Sequence, residues 1–343
     1  MHHGDILVLK GHDVLSLLAD RETELIEAVR MAYLAHAKGE SSLPQSSFLN
    51  FAGQPRDRII ALPAYLGDSF GVAGIKWIAS FPGNLAQGMD RASAVIILNS
   101  PVTGRPVAFI EGSIISAKRT AASAALAAKT LHEGRSAQTV GLLGCGVINY
   151  EIARFVLAAC AGVERLLIFD IDKQRAGKFK DRCGRLSDRI TVEVAENLPE
   201  LMRESKLISF ATTAIQPHIS DLAQCQPGST ILHVSLRDLT PEVILAGDNV
   251  VDDVDHVCRA QTSVHLAEQL TGNRDFIRCT LADVLSGNAP PRKDDDSIAI
   301  FSPFGLGVLD LAVAKLVCGL GLEHNPETVI SSFLPAAWET REH

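Results

Sequence analysis

Lys76 sits in the middle of the apolar run 71–81, where Ile75, Trp77 and Phe81 alternate to one face of a strand and Lys76, Ile78 and Ser80 to the other. An ammonium group there loses its hydration unless an anion meets it. It could bind a carboxylate, or exchange a proton if burial depresses its pKa. A snorkelling surface lysine or an internal ion pair are the structural alternatives. Arg119 stands at the start of an alanine-rich helix, where a guanidinium and unpaired N–H groups together suit a carboxylate or phosphate. Arg91, between a polar turn and the apolar run 92–99, is similarly placed. Asp238 follows the apolar run 230–234, in Ser235-Leu236-Arg237-Asp238. At the carboxyl end of a parallel strand such a carboxylate lines the ligand crevice and can move a proton. Capping a helix that begins near Pro241 is its structural alternative.

Gly144-Cys145-Gly146-Val147-Ile148-Asn149 follows the apolar run 138–143 and opens a helix. The first glycine permits a tight turn and the second lets backbone approach a pyrophosphate at the helix N-terminus. Asn149 replaces the third glycine of the full motif. Asp170 ends the next strand-like run, where a carboxylate can accept ribose hydroxyls or, structurally, cap the helix starting near Lys173. Its charge repels a 2′-phosphate and favours NAD over NADP, while Lys173 and Arg175 nearby leave NADP open.

The elements that must hold these residues change character near residue 135. Before it, strand-like runs at 47–51, 58–63, 71–81, 92–99 and 106–111 are separated by Gly, Pro, Asn and Asp turns, which predicts an antiparallel or mixed sheet. A helix at 22–38 precedes them. After it, strands at 138–143, 165–170, 190–194, 207–211, 230–234, 249–251 and 298–301 alternate with helices, which predicts a parallel, doubly wound sheet. The alanine-rich stretch 116–131 reads as one helix linking the two parts. The segment from about 306 is helical and returns to the first part. The expected domains are 1–120 with about 315–343, and 121–314. The charged run 292–296 reads as a solvated loop.

The 343 residues suffice for two domains, and 47% hydrophobic with 21% charged residues is ordinary globular usage. A formal charge of -8 argues against a general nucleic-acid binder. Seven scattered cysteines with no CxxC pair read as reduced thiols in the cytoplasm. No apolar run is long enough to span a membrane or serve as an export signal. His2 and His3 read as neither a tag remnant nor metal ligands, and no metal or nucleophile motif is present, so no metal is expected.

Several ordered blocks together resemble the ornithine cyclodeaminase/μ-crystallin family. They are Leu62-Pro63-Ala64-Tyr65, Gly74-Ile75-Lys76-Trp77, Phe81-Pro82-Gly83-Asn84, Lys118-Arg119-Thr120-Ala121-Ala122, Gly144-Cys145-Gly146 and Arg237-Asp238. The resemblance implies a Rossmann-type doubly wound parallel sheet plus an α+β substrate-binding and dimerisation domain. Blocks 89–99, 111–117 and 294–298 point within the family to members that oxidise N-[(2S)-2-amino-2-carboxyethyl]-L-glutamate with NAD, releasing 2,3-diaminopropionate and 2-oxoglutarate. This implies a small anionic amino-acid substrate and a homodimer built through the amino-terminal sheet. Carried over by position, Lys76 and Arg119 would contact substrate carboxylates and Asp238 would be the acid/base residue; Arg91, whose block ornithine cyclodeaminases lack, is expected to join the carboxylate contacts, and Lys76 to be catalytic with Asp238. Gly144, Cys145, Gly146, Val147, Asp170, Thr212, Thr213, Val234 and Ser235, with Arg119, would surround the cofactor. Ornithine cyclodeaminases show Gly-Gly-Asp where this chain has Leu236-Arg237-Asp238, and a family arginine before residue 51 is replaced by Gln45 or Asn50. Ornithine cyclodeamination, imine reduction, amino-acid dehydrogenation and nicotinamide-dependent binding without turnover are the alternatives the family allows.

Overall fold

Two units emerge in the computed structural model, which describes residues 4–135, 137–324 and 328–340. His2 and His3 lie outside the described residues. The first unit comprises Met1–Arg21, Ala35–Arg119 and Leu306–His343; the second comprises Glu22–Leu34 and Thr120–Gly305.

In the first unit, alternating apolar residues form a mixed sheet. Its strands are β1 (Ile6–Leu9), β2 (Ser41–Ser42), β3 (Ser47–Phe51), β4 (Gln54–Leu66), β5 (Val72–Ser80), β6 (Ala92–Asn99), β7 (Pro106–Glu111) and β16 (Val329–Ile330). They run in the order β16-β1-β7-β6-β5-β4-β2, with β3 paired to β4. Among the described residues, only β1 and β7 are parallel neighbours in this sheet. Direct cross-strand partners share a face, so Leu62, Lys76 and Ile96 point the same way. Helix α1 (Gly11–Leu17) follows β1, and α11 (Gly307–His324) packs on the Lys76 face. Gly74 allows that approach, because a Cβ there would meet the Ile97 carbonyl oxygen at 2.3 Å and Leu311 Cδ2 at 3.1 Å. The buried layer therefore lies on the lysine side, while Trp77 on the opposite side is exposed.

The second unit is the alternating one. Strands β8 (Thr139–Leu143), β9 (Arg165–Phe169), β10 (Thr191–Val194), β11 (Leu207–Phe210), β12 (Thr230–His233), β13 (Asp248–Val251), β14 (Ile277–Thr280) and β15 (Ala299–Ser302) form one sheet, ordered β10-β9-β8-β11-β12-β15-β13-β14. Every pairing in it is parallel. The connections carry α4 (Val147–Ala159), α5 (Lys173–Cys183), α6 (Leu198–Glu204), α7 (Pro241–Ala246), α8 (Val254–Val257), α9 (Ser263–Thr271) and α10 (Leu281–Leu285). The chain order reverses direction across the sheet between β8 and β11, which is the switch point where such folds bind ligands.

Helices α2 (Glu22–Ala37) and α3 (Ser113–Leu131) each begin in one unit and end in the other. Residues Glu22–Leu34 group with the second unit because the Tyr33 hydroxyl pairs with Ser123 Oγ at 2.7 Å and Glu22 pairs with Arg154. The run 292–296 is only partly a solvated loop. Arg292 donates to the Leu131, Ser229 and Ser297 carbonyls and to Thr230 Oγ1, fastening the approach to β12 and β15.

Gly74→Ala should lower stability by roughly 1–3 kcal/mol through overpacking. Gly83→Ala, which meets no atom within 4 Å, should stay within about 0.5 kcal/mol. Urea unfolding of the two variants checks the contrast.

Candidate functional site

Lys76 is buried because β5 turns it towards α11, and the anion it needs comes from that helix. Its Nζ donates to Asp310 Oδ2 at 2.7 Å and to Ser116 Oγ at 3.1 Å. Arg119 Nε donates to the other oxygen, Asp310 Oδ1, at 3.0 Å. Asp310 is fully buried, and the first turn of α11 adds a favourable dipole for its charge. Burial pulls the Lys76 pKa down from 10.5 to about 8, with the Asp310 charge opposing that shift and Arg119 assisting it. One carboxylate thus serves two cations, leaving an excess positive charge suited to an incoming carboxylate. Both the ion-pair reading of Lys76 and its ligand-binding reading are compatible with this arrangement.

In the second unit, Gly144 adopts φ +93°, and a Cβ there would meet the Ala211 carbonyl oxygen at 2.6 Å. Gly146 is the N-cap of α4; it supplies no side-chain cap, and a Cβ on it would meet nothing within 4 Å. The start of α4 therefore carries no side-chain cap and has open space beside Gly146, which suits a dinucleotide pyrophosphate. Asn149 takes a structural role in place of the third glycine: it donates to the Leu143 and Gly144 carbonyls and accepts from Ser209 Oγ. Asp170 accepts from the Cys145 N–H at 2.8 Å and the Asp172 N–H at 2.9 Å, one on each oxygen. Asp172, not Asp170, caps α5, accepting from the Arg175 N–H. Cys145 contributes its backbone; burial, reinforced by Asp170, pushes its thiol up to about 12. Val147 is exposed on the first turn of α4.

Asp238 is fully buried beside the carboxyl ends of β11 and β12. Its Oδ1 accepts from Thr212 Oγ1 and lies 3.2 Å from His218 Nε2, while Oδ2 accepts from Ser235 Oγ. Its backbone N–H lies 3.2 Å from His233 Nε2, and the other ring nitrogen of His233, Nδ1, lies 3.3 Å from Ser302 Oγ. Burial raises the Asp238 pKa, but the surrounding hydrogen bonds and His233 prevail and hold it at about 2. The carboxylate is anionic at neutral pH and caps no helix; Thr240 is the N-cap of α7. The most exposed of its side-chain partners is His218, at 45%. Leu236, two residues earlier, is held at φ +65° although its side chain is buried, and its carbonyl accepts from the Ser263 N–H. Thr213 is exposed and Val234 half-buried in the same stretch.

The structure thus brings Lys76 and Arg119 together in one unit, and Gly144, Thr212, Ser235 and Asp238 to neighbouring strand ends in the other. Arg91 does not join the Asp310 cluster's hydrogen bonds; burial and the Arg58 charge lower its pKa. Asp310 and His218 escape a sequence reading, although an aspartate inside the apolar stretch 306–314 carries the same signal that marks Lys76. Among the described residues no group of three or more His, Cys, Asp or Glu could hold a metal.

A glycine turn opening a helix at the switch point of a parallel sheet defines a dinucleotide-binding fold. More narrowly, the chain belongs to the ornithine cyclodeaminase/mu-crystallin family, whose model matches residues 6–323. It is 29% identical, over 96% of its length and 99% of the relative's, to the N-((2S)-2-amino-2-carboxyethyl)-L-glutamate dehydrogenase of Staphylococcus aureus. It is similar to the Thermococcus litoralis Delta(1)-pyrroline-2-carboxylate reductase solved with NADH and L-proline, with TM-score 0.86, 26% identity and 93% and 98% of the two chains covered. It also resembles an archaeal alanine dehydrogenase dimer with bound NAD, with TM-score 0.83, 27% identity and 94% and 97% covered.

Asp310→Asn leaves two buried cations without an anion and should cost about 3–5 kcal/mol. Lys76→Met should cost less, since Arg119 still neutralises Asp310. Urea unfolding at pH 7 ranks the two.

Proposed function

We propose that the chain oxidises N-[(2S)-2-amino-2-carboxyethyl]-L-glutamate with NAD, yielding 2,3-diaminopropionate and 2-oxoglutarate. The coarser class is an NAD-dependent oxidoreductase acting on an amino-acid-derived substrate. The observation that carries the finer reading is the buried Lys76–Asp310–Arg119 cluster, whose two cations share one anion. The activity named for the Staphylococcus aureus relative supports the same substrate.

The residues fit the cofactor: Gly144 and Gly146 leave backbone room, the uncapped start of α4 would hold a pyrophosphate, and Asp170 retains acceptor capacity for a ribose hydroxyl. NAD, when bound, accepts a hydride. In the substrate, the glutamate-derived Cα loses that hydride and the adjoining nitrogen its proton, forming C=N. Lys76 and Arg119 hold a carboxylate and so fix the orientation of that carbon. Water then adds to the carbon, with its proton taken towards Asp238 through the half-exposed His218 imidazole. The C–N bond breaks as nitrogen is protonated, releasing the amine and the 2-oxo acid. Anionic Asp238 stabilises the imidazolium formed during this transfer.

A homodimer belongs to the same proposal. Leu49, Tyr65, Trp77 and Phe109 are exposed on one face of the first unit's sheet, the face turned away from α11. A second copy of this chain would cover that apolar surface. The archaeal alanine dehydrogenase is itself a dimer. Trp77→Asp should shift sedimentation toward the monomer, whereas the wild-type chain should sediment as a dimer. A reducing, cytoplasmic setting agrees with seven unpaired cysteines, and no described helix is long and apolar enough to cross a membrane.

Purified protein with NAD and the candidate amine should form NADH and 2-oxoglutarate in equal amounts. Formation of proline and ammonia from ornithine without net NADH would instead indicate cyclodeamination. The pH profile adds a second check. Lys76 is protonated below about 8 and loses its charge above it, so kcat/KM should fall roughly tenfold per pH unit past that point. Lys76→Arg, if active, should lack that decline, because a guanidinium stays charged. Gly146→Ala should leave the urea midpoint in place and weaken NADH binding, read by fluorescence titration, by about tenfold or more.

A further inference from the structure

Lys76 and Arg119 share their anion; a second cationic group on the same sheet has none. Arg58 on β4 pairs with Ser80 on β5, and Ser80 pairs with Ala92 on β6. These three positions share the face that bears Lys76. Arg91 immediately precedes Ala92, and its carbonyl accepts from the Phe81 N–H at 2.8 Å, tying it to the end of β5. Arg58 Nε is buried and finds no hydrogen-bond partner. Burial and the Arg58 charge are the influences that lower the Arg91 pKa, with no carboxylate among them. Among the described residues neither arginine forms an ion pair, although Asp57 and Asp90 adjoin them in sequence. Like charges held together without an anion are unfavourable by themselves. Such a pair is suited to an anion from outside the chain, and guanidinium forks match carboxylates.

We propose that Arg58 and Arg91 form a second carboxylate subsite, taking the distal carboxylates of a substrate whose first carboxylate is held by Lys76 and Arg119. This rests on the dehydrogenase reading above and deepens it: the substrate class becomes di- or tricarboxylic amino compounds. Ser80 lies four residues beyond Lys76 on β5, so the two cationic groups stand about 13 Å of strand apart. That separation, bridged by long side chains, suits carboxylates at opposite ends of one extended small molecule. The charge count agrees. The Asp310 cluster carries one surplus positive charge and the arginine pair two, matching three carboxylates. Arg58 thereby becomes a specificity-determining residue, and Arg91 acquires a partner.

The test compares wild type with Arg58→Met, Arg91→Met and Arg58→Lys in the full chain with NADH present. Calorimetric titration with glutarate and with butyrate reads the subsite directly. Wild type should favour glutarate by at least tenfold, both methionine variants should lose most of that preference, and Arg58→Lys should keep part of it. With N-[(2S)-2-amino-2-carboxyethyl]-L-glutamate, the KM of the methionine variants should rise more than kcat falls. Their melting temperatures should hold or rise, since a half-buried cation without an ion-pair partner has been removed, which separates loss of binding from loss of fold. Unchanged preference for glutarate in both methionine variants overturns the subsite. So does a change confined to the monomer–dimer balance, which would make the pair an assembly contact. If wild type makes no NADH from the amine yet the glutarate preference depends on Arg58 and Arg91, the subsite stands and the proposed reaction falls.

Discussion

Asp310 carries one negative charge in a layer from which water is excluded, and it meets Lys76 on one oxygen and Arg119 on the other. Much of the first unit follows from this contact. Two cations could not remain buried without it, and with only one carboxylate they are not fully neutralised. The cluster is positioned by packing, not by flexible loops: β5 supplies the lysine, α3 the arginine and α11 the aspartate. Gly74 and Gly307 let α11 lie close to the sheet, the latter near Ala64 and Leu62. Residues that grip a ligand are thus held by the same contacts that form the core.

The second unit reaches its chemistry by topology. Parallel strands deliver their carboxyl ends to one edge, and the reversal between β8 and β11 separates the connecting helices there. Gly144 after β8 consequently lies so near Thr212 after β11 that a Cβ on it would crowd that residue, and the Thr212 hydroxyl meets Asp238 after β12. Three segments far apart in sequence converge without any long loop having to fold back. Asn149, buried beneath the turn, pins β8 to β11 through Ser209 and leaves the turn itself free of side-chain obstruction.

The alternating half of the chain was legible because strand and helix periods differ sharply; its predicted strands fall within a residue or two of β8 to β13 and β15. Strand β14 was missed, since Arg278 and Cys279 interrupt an apolar reading. So was β1, a four-residue strand of which Leu7, Val8 and Leu9 pair in parallel with distant β7. Lys76 was legible because a charge in an apolar strand demands an explanation. Asp310 was hidden within a helix, where one polar residue is ordinary, and its separation of 234 residues from Lys76 leaves no local signal. Asp170 and Asp172 look alike in sequence: both precede α5, but only the second has the geometry to cap it. For Asp238, sequence located the carboxylate and the family resemblance suggested its role. Neither indicated that two imidazoles and two hydroxyls would enclose it.

Leu236 has a left-handed backbone, a conformation that costs a side-chain-bearing residue roughly 1–2 kcal/mol and glycine almost nothing. Burying its isobutyl group returns about 1.5–3 kcal/mol, so the core enforces the bend that glycine would merely tolerate. The segment ahead of Asp238 therefore has few other shapes to sample. Its hydroxyl and backbone donors stand ready before any ligand arrives, and little ordering entropy is left to be lost when one does.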